Sequence, residues 1–155
     1  MRLQNKIALV TGASRGLGRA ISVALAKEGA SLVLADKDSV DDTAALVKET
    51  GQRSLSARLD VRSESEVDRL VSRAVEEFGK IDILVNNAGV FVSARVVDMS
   101  EEQWDLVLDV NAKGAFLCSR AVAREMIKGK IAGKIVNVSS NAALVGYVGY
   151  SAYCV

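Results

Sequence analysis

The spacing of apolar positions changes period repeatedly along the chain. Continuous apolar runs occur at "KIALVT" (6–11), which leads into a glycine, at "SLVLAD" (31–36) and, more weakly, at "SARLDV" (56–61). Two more follow at "KIDILVNNAG" (80–89), which runs into a turn, and "GKIVNVSS" (133–140). Runs of this length and makeup read as five buried strands. Between them the period lengthens to that of a helix. Residues 16–28 place Leu17, Ala20, Ile21, Ala24 and Leu25 on one face. Ser63 and Glu66 form a capping-box pattern before a stripe of Val67, Leu70, Val71, Ala74, Val75 and Phe78, which ends at Gly79. Ser100 and Gln103 repeat the pattern and open a long helix through about Ile127, marked by Trp104, Val107, Leu108 and Phe116.

Uniformly apolar strands that alternate with amphipathic helices imply a parallel sheet covered on both faces. The expected fold class is α/β, a doubly wound parallel sheet of the Rossmann type with five strands present. Residues 1–155 read as one dinucleotide-binding domain, with no linker, repeat or low-complexity stretch. Such folds bind ligands at the carboxyl ends of their strands.

Composition narrows the chemistry. The chain has no histidine, which excludes His-based triads, His metal sites and His general bases. Cys118 and Cys154 have no metal-ligand spacing and read as reduced thiols, so the expected setting is cytoplasmic. A net charge of +1 gives no electrostatic footprint for nucleic acid or an anionic membrane. No stretch approaches membrane-spanning length.

"VTGASRGLGRA" joins the first strand to the first helix, with glycines at 12, 16 and 18. Gly12 permits the tight turn, Gly16 lets backbone approach a pyrophosphate, and Gly18 lets helix pack on strand. The helix N-terminus then offers free N–H groups and a positive dipole end to the phosphates. Asp36 closes the second strand 18 residues after Gly18. An acid there accepts hydrogen bonds from a ribose 2′-OH and repels a 2′-phosphate, which argues for NAD. Arg15 and Lys37 could reach a 2′-phosphate and argue for NADP. Like charge is costly at that spot, so the carboxylate weighs more.

Taken in order, the motifs resemble those of the short-chain dehydrogenase/reductase family, and the likeness covers the whole chain. "TGASRGLG" (11–18) resembles the family's cofactor turn, including Ser14 and Leu17. "LDV" (59–61), with Asp60 and Val61, resembles its adenine contact. "NNAG" (86–89) resembles its core turn, which sets Asn87, Ala88 and Gly89 near the cofactor ribose. "VNAKGAF" carries the helix asparagine, Asn111; four residues after Val107 it shares the buried stripe, and a buried amide needs partners. Either Ser139 or Ser140 could cap a strand end, and the family spacing of 13 residues before the tyrosine selects Ser140.

The resemblance implies hydride transfer between a nicotinamide and a secondary alcohol or ketone. Tyr153 is the implied general acid or base, Ser140 holds the substrate oxygen, and Asn111 belongs to a water-mediated proton relay. No metal is implied. An NADP-dependent 3-oxoacyl-type reductase is the near alternative, and a non-catalytic nucleotide-binding module the more distant one. The family's lysine stands four residues after the tyrosine, at position 157, past Val155. A free tyrosine has a pKa of about 10, so a nearby ammonium matters to its chemistry. The resemblance therefore implies a longer active chain, with C-terminal strands beyond the fifth, that assembles as a homodimer or homotetramer. It also implies that the fifth strand forms a bare apolar sheet edge here. Ala143 stands where many members have glycine.

Overall fold

The computed structural model describes residues 1–155. Five parallel strands form one sheet: β1 (Ile7–Thr11), β2 (Ser31–Asp36), β3 (Ser54–Arg58), β4 (Ile83–Asn86) and β5 (Lys134–Asn137). Their order is β3-β2-β1-β4-β5, so β1 is central and the chain reverses direction across the sheet between β1 and β4. That reversal is the point where doubly wound sheets open a crevice.

Side-chain alternation divides the core in two. Ile7 and Leu9 of β1, with Val33 and Ala35 of β2, enter one cluster together with α3 (Glu64–Phe78) and α5 (Ala115–Lys128). Ala8 and Val10, with Leu32 and Leu34, enter the other, against α1 (Gly16–Lys27) and α2 (Asp41–Glu49). Both faces of β1 and β2 are thus covered, and their apolar runs are continuous for that reason.

Several boundaries differ from expectation. β3 is centred earlier than 56–61, because residues 59–61 leave the sheet to form the cleft wall described below. The helix α2 was not legible, since it buries only Thr43 and Val47. The face of α1 turned to the sheet is Gly18, Ser22 and Ala26; Ile21 and Leu25 only flank it, and Leu17 is exposed. Small residues there let helix and strand approach closely. The Ser63 hydroxyl caps α3 as expected, but the Glu66 carboxylate accepts from the Asp60 N–H at 2.9 Å instead of closing the box. Gly79 ends that helix with φ at 80°.

The long helix expected through Ile127 is interrupted. It comprises α4 (Glu101–Leu108), a π-helical turn (Asp109–Gly114) and α5. The wider turn shifts the helical phase. Phe116 therefore faces out beneath the Arg120 guanidinium, while Leu117, Cys118, Ala121, Val122 and Met126 turn inward. Gly114 sits against Val61, where an added Cβ would lie 2.6 Å from a valine methyl. The Ser100–Gln103 capping box is complete.

Asp82 holds the lower end of the sheet. Its carboxylate accepts from the Ile7 N–H at 2.9 Å and pairs with Lys6 and Lys80. At the far side β5 is exposed along its whole length, with Ile135, Val136 and Val138 open to solvent. No helix is long and apolar enough to cross a membrane, and both cysteines are free.

Candidate active site

The glycine turn is built around two close approaches. Gly12 has φ at 67°, and an added Cβ would meet Ala88 Cα at 2.9 Å. A Cβ on Gly18 would collide with the carbonyl oxygen of Gly12. Both positions therefore require glycine. Gly16 also has positive φ, at 55°, but faces open space.

Thr11 locks this turn to the one after β4. Its hydroxyl accepts from the N–H groups of Asn87 and Ala88, both at 3.1 Å. The Asn87 amide donates in return to the carbonyls of Thr11 and Gly12 at 3.0 and 3.1 Å. Thr11 is buried and carries no sequence signal for this task.

A cleft of about 280 Å³ opens over these turns. Of the predicted cofactor residues, all but Gly16 line it: Gly12, Ser14, Arg15, Leu17, Gly18, Asp36, Asp60, Val61, Asn87, Ala88 and Gly89. Lys37 joins them. The Asp36 carboxylate accepts from the Ser14 N–H at 2.9 Å and from the Asp38 N–H at 3.1 Å. Burial pushes its pKa up, but hydrogen bonds from Ser14, Asp38 and Lys37 outweigh this and hold it below the usual range. Asp36 is thus charged at neutral pH. The Asp60 carboxylate is engaged by the Arg62 guanidinium, which lowers its pKa and raises that of Arg62.

The cleft continues into a second hollow of about 580 Å³ through Leu17, Asn87, Ala88, Gly89 and Val90, which border both. Asn111, Ser139, Ser140 and Tyr153 line this second part, with Phe91, Leu108 and Val138 among its apolar walls. None of the side chains that line it is charged. The elements holding these groups differ. The Asn111 amide lies in the π-helical turn and clasps the backbone of Val90, accepting from its N–H at 2.8 Å and donating to its carbonyl at 2.9 Å. Asn111 is half-buried, and these bonds are the partners its position demands. The Ser140 hydroxyl caps the short 3₁₀ turn Asn141–Ala143, accepting from the Ala142 N–H at 3.2 Å. The Tyr153 ring stands edge-on to Phe91, with centroids 5.2 Å apart. The loop that carries Phe91 is stapled to the tyrosine segment: the Ala94 N–H donates to the Gly149 carbonyl, and the Ser151 hydroxyl to that of Ala94, both at 2.9 Å.

Asn86, below this hollow, donates to Ser119 Oγ and Asn137 Oδ1, both at 2.8 Å, and so bridges β4 to α5 and β5. Its own buried Oδ1 has no partner. Burial pushes the Cys118 thiol up to about 12, which leaves it a packed, unreactive group. No cluster of His, Cys, Asp or Glu has the arrangement of a metal site.

With this geometry in hand, the relatives fall into one class. Residues 6–155 match the short chain dehydrogenase family. The chain is 40% identical over 154 residues to the galactitol 2-dehydrogenase of Agrobacterium fabrum, covering 99% of this chain and 60% of that protein. It is 38% identical over 154 residues to a 3-oxoacyl-[acyl-carrier-protein] reductase of Synechocystis, covering 97% of this chain and 62% of that one. Among solved structures, NAD⁺-bound xylitol dehydrogenase superposes with a TM-score of 0.94 at 38% identity, over 99% of this chain and 60% of its own. The chain thus spans about 60% of the length of these relatives. A parallel sheet that reverses at β1 and β4, a glycine turn interlocked with "NNAG" and residue-level similarity from strand to strand lead to one conclusion: this chain belongs to the short-chain dehydrogenase/reductase family.

Proposed function

We propose that the protein is an NAD(H)-dependent oxidoreductase acting on a neutral secondary alcohol or ketone. The observation that carries this reading is the adjacency of the Asp36 cleft and the Tyr153 hollow, which share Leu17, Asn87, Ala88, Gly89 and Val90. The fit to a dinucleotide rests on the close-packed glycine turn at the start of α1, which lines the cleft, and on a charged carboxylate at the far end. In this reading residues 1–155 form one dinucleotide-binding unit. Gly12, Ser14, Arg15, Leu17 and Gly18 hold the pyrophosphate end, with Gly16 shaping the turn through its positive φ, Asp36 the ribose of the adenosine half, Asp60 and Val61 the adenine. Asn87, Ala88 and Gly89 border the second ribose. The bound nicotinamide supplies the hydride acceptor for oxidation and the donor for reduction.

The chain's own groups handle the proton. Tyr153 takes it from the carbinol hydroxyl in oxidation and returns it to the oxygen in reduction. Ser140 hydrogen-bonds that same oxygen. Asn111 fixes the Val90 backbone and belongs to the relay. Phe91 and Val138 give the hollow apolar walls, which disfavour a small charged substrate against them. The protein works in the cytoplasm as a homodimer or homotetramer.

Arg15 and Lys37, on the same cleft, favour a second reading, an NADP-dependent 3-oxoacyl-type reductase. Replacing Asp36→Ala in the full-length protein decides between them. The first reading expects the ratio of NAD to NADP turnover to fall at least about tenfold as charge repulsion disappears. An unchanged ratio contradicts it.

A further inference from the structure

Two side chains outside the cleft hold the cofactor turn from behind. Thr43, in the first turn of α2, is fully buried. Its hydroxyl donates to the Ala13 carbonyl at 2.8 Å and accepts from Arg19 Nε at 3.1 Å. Arg19, in α1, also donates to the Ser14 carbonyl, from Nη2 at 2.5 Å and Nε at 3.1 Å. The Ser14 backbone is therefore held on both sides of its Cα. Its oxygen is bound by Arg19, and its N–H is the donor that orients the Asp36 carboxylate. Ala13 is gripped likewise, by Thr43 at its oxygen and by the Ala35 carbonyl at its N–H, at 3.2 Å. Neither Arg19 nor Thr43 lines the cleft.

We infer that Arg19 and Thr43 are positioning residues that set the cofactor preference by fixing the Ala13–Ser14 turn and, through it, the Asp36 carboxylate. This rests on the cleft being a dinucleotide site. Without the clamp Ser14 relaxes, the carboxylate loses its oriented donor, and hydrogen bonding to a ribose diol weakens. A 2′-phosphate gains nothing from that orientation, so NADP loses only through the shared pyrophosphate contacts and weakens less.

The experiment is equilibrium titration of NADH and NADPH into the full-length protein and its variants, read by fluorescence. The Thr43→Val side chain keeps the shape and removes the hydroxyl. Its expected effect is about a three- to tenfold weaker NADH affinity, with a clearly smaller loss for NADPH. Thr43→Ser restores the wild-type ratio. Should Thr43→Val fail to fold, Arg19→Met asks the same question from a partly exposed side chain. If Arg19 acted only through its charge, NADPH would lose more; the clamp predicts that NADH loses more. Equal losses for both cofactors, or none, overturn the inference while leaving the dinucleotide site intact. A wild-type protein that binds neither cofactor overturns the dinucleotide reading and this inference together.

Discussion

The two halves of the cleft are built differently. The cofactor half is made of buried strand ends and backbone. β1 is buried throughout, Gly12 and Gly18 leave no room for a methyl group, and Thr11, Asn87, Ser14 and Asp36 are joined by hydrogen bonds across distant segments. The half that holds Tyr153 lies beside β5. There Ser140 caps a single 3₁₀ turn, and the tyrosine segment is held by a pair of staples to Ala94 and by ring packing on Phe91. The contrast teaches where each task resides. In the proposed reading, dinucleotide recognition falls to backbone and buried strand ends, and proton transfer to side chains on the π-helical turn and the segments after β5. Perturbing one half should leave the other working.

The sharpest separation comes from Tyr153→Phe. Removing the phenolic O–H deletes the acid or base while keeping the ring against Phe91. Turnover in the full-length enzyme should fall about 10²–10⁴-fold, with the dissociation constant for NADH unchanged. Steady-state kinetics beside a binding titration check both quantities.

Next in size is Gly18→Ala. The new methyl meets the Gly12 carbonyl, so the backbone itself must shift. Stability should fall by about 2–4 kcal/mol and NADH affinity by at least about tenfold. Denaturant unfolding gives the first, titration the second. A variant with normal affinity would break the claim that the cofactor half tolerates no slack.

A smaller effect is expected at Asp82, on the far side of the sheet from both sites. Burial pushes its carboxyl up, but the Ile7 N–H, Lys80 and Lys6 prevail and hold its pKa below the usual range. A lowered folded-state pKa contributes stability above the unfolded value of about 4, lost as pH falls through the folded value. Asp82→Asn should therefore cost about 2 kcal/mol at neutral pH. The gap between variant and wild type should close in acid, below about pH 4. Unfolding midpoints across pH 2–7 measure it; a gap independent of pH would mean that the charge contributes nothing.

How far each region could be read from sequence follows the same division. β1 and β2 were legible because burial on both faces leaves an unbroken apolar run, as in "KIALVT". The glycine turn was legible because its spacing records backbone needs at Gly12 and Gly18. The helix α2 was hidden, since Thr43 and Val47 alone face the core and a buried threonine looks polar. The inward face of α1 was misread because Gly18, Ser22 and Ala26 are too small to register as a stripe. The π-helical turn left no periodic mark, yet it sets which side of α5 turns inward and where Asn111 points its amide. Thr11, Arg19 and Thr43 act through backbone brought close only by folding; Thr11 reaches a turn 76 residues away. No local pattern announces such contacts.

The measurement that tests the central claim most directly is titration of NADH into the Tyr153→Phe protein, alongside the wild type. Wild-type affinity with turnover lowered about 10²–10⁴-fold is the predicted result. Loss of NADH binding in that variant would contradict the account, because it would mean that the two halves of the cleft are not separable.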